Sequence, residues 1–235
     1  KAKMNKFIVL FAFVVAIGTT HAASVSSSSS SSEEDIAEIA QLLNKRFNST
    51  IILDVIKMAE KAKDKCPNIE DKIDEVVEKV DKCMDDIELG SETFCSLVKK
   101  NLAKCSKPLI DLITSCLPEE SKDLPVLGQK IITAIVDEAC HTTVEELLEL
   151  FNPCFMEKEF VSVPACSEIK DVFVANRNKL PSKSLVCSML PKVKSCVKGH
   201  VDASCQNPTT KRATLKFHEA IDNAIKSDCD ALNKV

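Results

Sequence analysis

The sequence contains no tryptophan and no tyrosine, and it has only four glycines. Trp and Tyr are the usual anchors of interface hot spots and of surfaces that stack single-stranded nucleic acid. Glycine supplies the positive φ angles that tight β-hairpin turns require, so its scarcity argues against an all-β protein. Abundant Lys, Glu, Leu, Ala and Ile favour helices. The composition therefore predicts an all-α fold, and the residue pattern along the chain sets the number at about nine or ten helices, several of them short.

Signatures of catalysis and of metal binding are also missing. No H-E-x-x-H, G-x-S-x-G, P-loop or dinucleotide-binding glycine pattern occurs, and no C-x-x-C pair suggests zinc. His141, His200 and His218 share no ligand spacing. The acidic run 81–86 lacks the EF-hand spacing and is better interpreted as a solvated helix face. We therefore predict no catalytic residue, no metal ligand, no cofactor and no enzymatic activity.

The N-terminal segment has the layout of a secretory signal peptide. A lysine precedes the unbroken apolar run 7–17, and Thr20 and Ala22 place small residues at a cleavage site. The run is well short of the roughly 20 residues that span a bilayer, which argues against a membrane anchor. We expect a leader over 1–22, in which 1–3 are an upstream remnant. The mature protein is then secreted and has no membrane span.

Without this leader the chain is acidic, because 28 basic residues face 35 acidic ones and the formal charge is −7. An acidic protein does not attract phosphate backbones, so we predict no nucleic-acid partner. The charge is unevenly distributed. Acidic residues lead by 16 to 9 between Cys66 and Cys140, whereas basic residues lead by 12 to 8 between Cys154 and Cys229. Either a partner binds the basic part, or the two parts dock on each other, or both faces are simply solvated.

Capping residues, prolines and the spacing of apolar residues predict where the helices begin and end. The serine run within 23–34 can bury nothing and predicts a disordered tether, although O-glycans or phosphates on it remain an alternative. Ser32 with Asp35, and Thr143 with Glu146, form capping boxes. Apolar residues at helical spacing, together with proline boundaries, predict the remaining elements. The predicted helices cover 36–47, 51–59, 68–88, 108–117, 126–139, 143–152, 165–179, 184–190, 191–204 and 209–232.

The twelve cysteines fall into two sets of six, and the last two cysteines of each set are 24 positions apart. An even number in an exported chain indicates disulfides of an oxidising compartment. The matching intervals favour an internal duplication with halves over 35–152 and 153–235, and hence bonds within each set. The leading intervals differ, so either the halves diverged or the leading cysteines pair differently. The first set is Cys66, Cys83, Cys95, Cys105, Cys116 and Cys140, and the second is Cys154, Cys166, Cys187, Cys196, Cys205 and Cys229.

One modification site is predicted from a short motif. Asn48-Ser49-Thr50 is an N-glycosylation sequon, whereas the sequon at Asn207 is blocked by the proline that follows it. Asn48 lies between two predicted helices, where a glycan would be exposed. We therefore expect a glycoprotein modified at Asn48.

The leader, the twelve cysteines, the sequon and the central Cys95-Ser96-Leu97 and Cys105-Ser106-Lys107 segments resemble the insect 27 kDa haemolymph glycoprotein family. The resemblance covers the whole mature chain and rests on layout and cysteine spacing. It implies an abundant secreted protein of insect haemolymph without an established enzymatic activity, and it transfers no site residues.

Two functions are compatible with these features. The surplus of aliphatic residues within a cross-linked helical shell predicts an extracellular carrier, with a cavity lined by Ile, Val, Leu and Phe for a small apolar ligand. The alternative is a structural, storage or defence-related protein that acts through its surface, with a protein partner that the sequence does not identify.

Overall fold

The computed structural model describes residues 66, 69–88, 90–157, 163–176 and 179–232. These residues form eight α-helices, a short 3-10 helix (Glu119–Ser121) and no strand, which confirms the all-α prediction. The predicted leader, the serine tether, the first two predicted helices and Asn48 lie outside the described residues. The helices are α1 (Ile69–Asp85), α2 (Phe94–Cys116), α3 (Leu124–His141), α4 (Val144–Glu149), α5 (Pro153–Glu157), α6 (Pro164–Asn176), α7 (Lys183–Ser204) and α8 (Pro208–Leu232).

Two prolines that predicted helix starts instead lie inside long helices. Pro108 is within α2, and Pro191 joins the two helices predicted over 184–190 and 191–204 into α7. The described residues form eight helices rather than nine or ten. Two of the ten predicted ranges, 36–47 and 51–59, lie outside them, the two ranges that meet at Pro191 are one helix, and α5 was not predicted. An interior proline costs roughly 3 kcal/mol because it removes a donor and crowds the preceding turn. Packing on both sides of each proline outweighs this cost. Leu102 and Leu109 flank Pro108 within one hydrophobic cluster, and Met189 and Val193 flank Pro191 and pack against the other.

At several helix starts, side chains accept hydrogen bonds from backbone amides that have no partner within the helix. Thr143 accepts from the Glu146 amide (3.2 Å), and the Glu146 carboxylate accepts from the Thr143 amide (3.4 Å), so the predicted capping box is confirmed. Ser182 caps α7 by accepting from the Leu185 amide at 3.1 Å. Each such cap stabilises its helix by about 1 kcal/mol.

All twelve cysteines are paired, and every bond joins two members of the same set. In both sets the first cysteine bonds the fifth, the second bonds the fourth, and the third bonds the sixth. The leading cysteines therefore pair in the same order despite their unequal intervals. The intervals differ because Cys83 lies near the end of α1, whereas its counterpart Cys166 lies near the start of α6. The bonds are Cys66–Cys116, Cys83–Cys105, Cys95–Cys140, Cys154–Cys205, Cys166–Cys196 and Cys187–Cys229.

The three long helices of each cysteine set pack in chain order, and α8 connects the two groups. Helix α2 packs on α1 and α3, while α7 packs on α6 and α8. Helix α8 also packs along α3 and contacts α4, so this member of the second group joins it to the first. Two hydrophobic clusters result, one around Ile132 in α1–α3 and one around Ile169 in α6 and α7.

Candidate functional site

The three histidines noted in the sequence lie on different helices. His141 is exposed at the end of α3. His200 is fully buried in α7, where its Nε2 lies 2.8 Å from the Phe155 carbonyl oxygen and its ring meets the Phe155 ring edge to face. His218 is buried in α8, with Nδ1 3.5 Å from the Asp222 carboxylate. The described residues bring together no cluster of three or more His, Cys, Asp or Glu side chains suited to a metal ion.

An open groove of about 500 Å³ lies between α1 and α2 in the described chain. We call it the lysine groove. It differs from the cavity expected of an apolar carrier, because lysines rather than Ile, Val, Leu and Phe dominate its walls. Its lining residues are Lys79, Lys82, Cys83, Asp86, Ile87, Glu88, Leu97, Lys100, Asn101 and Lys104.

Helical spacing places these side chains on facing surfaces. Lys79, Lys82 and Cys83 stand at i, i+3 and i+4 on α1, and Asp86 follows at i+7 in the turn after it. On α2, Leu97, Lys100, Asn101 and Lys104 have the same offsets. Side chains three and four apart share a helix face. The Cys83–Cys105 bond joins α1 to α2 at this point. Sequence inspection missed the groove, because equal spacing in two segments does not show that their faces meet.

The lysines of the groove differ in their partners. Lys79 pairs with Glu75 at 2.6 Å, and Lys100 pairs with Glu92 at 3.2 Å. Lys82 is exposed and forms no ion pair within the described residues, and the same holds for Lys104. The groove also contains two acids, Asp86 and Glu88, at the C-terminal end of α1. It therefore offers two lysines whose charge is available to a ligand, beside the buried Leu97 and the partly buried Ile87.

Oppositely charged side chains form ion pairs where the two groups of helices meet. Four ion pairs in the described structure join residues before 153 to later ones, and in three of them the acid comes from the earlier part. Three of the four acids are partly buried, with side chains of Glu138, Glu146 and Asp228 exposed by 18%, 14% and 19%, whereas Asp123 is 69% exposed. This geometry supports the docking interpretation of the charge asymmetry. The pairs are Lys183–Asp123, Arg212–Glu146, Lys216–Glu138 and Lys130–Asp228.

Acid pH should weaken the ion pairs between the two groups of helices, in particular the pair of Asp228 with Lys130. A hydrogen bond from the Lys130 ammonium, reinforced by the charges of Lys130 and Lys183, holds the pKa of Asp228 below its ordinary value. The unfolded chain then binds protons first, so the stabilisation is complete above about pH 5 and is lost as the pH falls through the lowered pKa. We expect Asp228→Asn to lower the free energy of unfolding by about 1 kcal/mol at pH 7 and by much less at pH 2.5.

Urea denaturation at the two pH values measures this difference. Asp230→Asn is the matched control, because Asp230 lies on the same helix but is half-exposed in a pair with Lys226. An Asp228→Asn cost that is equal at both pH values would contradict the assignment.

Comparison of the chain with models of protein families, with curated proteins and with solved structures finds no match. The structure supplies its own indication of compartment, because six disulfides fit a protein that works outside the reducing cytosol. The helices of the described residues include no stretch that is long and apolar enough to cross a bilayer.

Proposed function

We propose that the protein is a secreted extracellular carrier without enzymatic activity, and that its ligand is a small apolar molecule with an acidic group. The lysine groove is the observation on which this proposal depends. Its volume of about 500 Å³ lies within the range of small-molecule sites in proteins. Leu97 and Ile87 offer contact to an apolar body, and Lys82 and Lys104 offer charge to an acidic end.

Rigid walls favour binding, because a preformed site loses little conformational entropy when it takes a ligand. A disulfide joins Cys83 to Cys105 across the two helices that form the walls. On the side of α2 away from solvent, Leu102 packs with Val80 in the hydrophobic cluster of α1–α3. Both walls of the groove are therefore anchored to the core and to each other.

The broader identity of the chain is part of the same proposal. We propose that it belongs to the insect 27 kDa haemolymph glycoproteins, that Asn48 carries a glycan, and that two related six-cysteine units arose by duplication. The identical bonding order of the two cysteine sets supports the duplication. Treatment of the native protein with an N-glycosidase tests the glycan. We expect the treatment to lower the mass of the native protein and to leave the mass of the Asn48→Gln variant unchanged.

Displacement of a fluorescent fatty acid by dodecanoate and by its methyl ester tests the carrier function. We expect dodecanoate to bind roughly tenfold more tightly than the uncharged ester, because only the acid gains from the lysine charges. The double variant Lys82→Glu/Lys104→Glu should weaken dodecanoate binding by roughly tenfold or more, since two attractive charges become repulsive.

Lys72→Glu is the matched control, because Lys72 is exposed on α1 but does not line the groove. It should change the affinity by less than about twofold. Native mass spectrometry of the purified protein provides an independent measurement. If neither amphiphile displaces the probe and no ligand co-purifies, the carrier proposal is wrong.

A further inference from the structure

Helix α4 presents an apolar face that nothing in the described chain covers. Val144, Leu148 and Phe151 are 73%, 67% and 71% exposed, and they are the three most exposed large hydrophobic residues described. Val144 and Leu148 are one helical turn apart, and the Phe151 amide continues the turn by donating to the Leu148 carbonyl at 3.0 Å. The three side chains therefore form one stripe, which we call the α4 face. Contiguous apolar surface of this kind marks a contact site.

The opposite side of α4 is held in place by polar contacts to α8. Arg212 donates to the Glu146 carboxylate at 3.0 Å, and the Thr210 hydroxyl donates to Glu149. The capping box at Thr143 secures the start of the helix. Because these contacts set the rotation of α4 about its axis, the exposure of the α4 face is a consequence of the fold.

We propose that the segment 36–47 of the same chain covers the α4 face. Ile36, Ile39, Leu43 and Phe47 recur at three-to-four residue spacing, which predicts an amphipathic helix with one apolar stripe. This segment lies outside the described residues, so its pattern is known from the sequence alone. An apolar stripe on a predicted helix and an uncovered apolar helix face are matching surfaces, since pairing removes both from water.

Charge favours the same pairing. Glu145 is exposed on α4 beside the apolar stripe and forms no ion pair within the described residues. In the covering segment, Lys45 and Arg46 stand next to Phe47. The basic residues lie beside the apolar stripe of the segment 36–47, and the acidic residue lies beside the α4 face. Opposite charges at the edges of two apolar surfaces fit an apolar contact with a polar rim.

The chain is long enough for this contact. Cys66 is bonded to Cys116 at the C-terminal end of α2, and the Cys95–Cys140 bond places the end of α3, which precedes α4, beside the start of α2. The distance to cover is therefore about the length of α2, which at 23 residues is roughly 35 Å. With the predicted helix 51–59 rising about 1.5 Å per residue and the other residues extended, the chain from Phe47 to Cys66 still reaches roughly 45 Å.

Site-specific photo-cross-linking of the full chain tests this proposal. We replace Leu148 with p-benzoylphenylalanine, which the exposed position should tolerate, irradiate the dilute protein and identify the linked peptide by mass spectrometry. The expected product is an intramolecular link to a residue within 36–47. A link to a second copy, seen as a covalent dimer, or links only to other parts of the chain, would overturn the proposal.

Hydrogen exchange supplies a second measurement that keeps the chain natural except for one side chain. Leu43→Glu should raise the exchange rates of the α4 amides by roughly tenfold, because the covering segment would be released. Gln41→Glu is the matched control, since helical spacing from the sequence puts position 41 opposite the predicted apolar stripe, and the change should leave these rates unaltered. Equal rates in the wild type and in both variants would show that 36–47 does not protect α4.

Discussion

Removal of the Cys187–Cys229 bond by replacing both cysteines with alanine is expected to lower the free energy of unfolding by about 4 kcal/mol. The bond closes a loop between residues 42 apart in sequence and ties the start of α7 to the end of α8. Without it, the unfolded chain gains the conformational freedom of that loop. Both cysteines are only partly buried, so the loss of core packing adds little to the effect.

The equivalent bond of the first cysteine set provides a matched comparison. Cys95–Cys140 also joins the third cysteine to the sixth, across 45 residues, and ties the start of α2 to the end of α3. Because loop entropy depends only weakly on length, the two double-alanine variants should lose nearly equal stability. Urea denaturation followed by circular dichroism measures both. A loss below about 1 kcal/mol for either bond would contradict the entropic account.

The sequence predicted most elements of the fold because local signals decide them. Helix α1 was predicted from a regular apolar stripe, and α4 from a capping box that needs only two side chains, Thr143 and Glu146. Pro108 and Pro191 misled the prediction, because their local cost is real but tertiary packing exceeds it. That packing joins Leu102 to Ile113 across Pro108, and it cannot be seen from the turn around the proline alone.

The lysine groove was not predicted, because a groove depends on which faces of two helices meet. In the sequence, the lysines of α1 and α2 lie within the interval from Cys66 to Cys140, where acidic residues outnumber basic ones, and nothing there sets them apart. Only the pairing of Cys83 with Cys105 shows that the two stripes face the same space. The spacing of the cysteines predicted bonds within each set, yet twelve cysteines allow far too many pairings to select this one from sequence.

The second large effect is expected in the packing of α8. Ile225 is fully buried, and α8 packs on α3 and α7 at once. Ile225→Ala should lower the free energy of unfolding by about 2–5 kcal/mol, through lost burial and through the cavity that the smaller side chain leaves. Ile132→Ala offers the counterpart in α3, where the side chain is 1% exposed.

Leu232→Ala is the control for α8, because Leu232 is 41% exposed at the end of the same helix and should cost less than about 1 kcal/mol. Urea midpoints with an unchanged slope measure the three variants. If α8 joins the two groups of helices into one cooperative unit, Ile225→Ala and Ile132→Ala should each move a single transition that includes all helices. Two separate transitions, only one of which moves, would instead show that the groups unfold independently and that α8 contributes its packing to one of them.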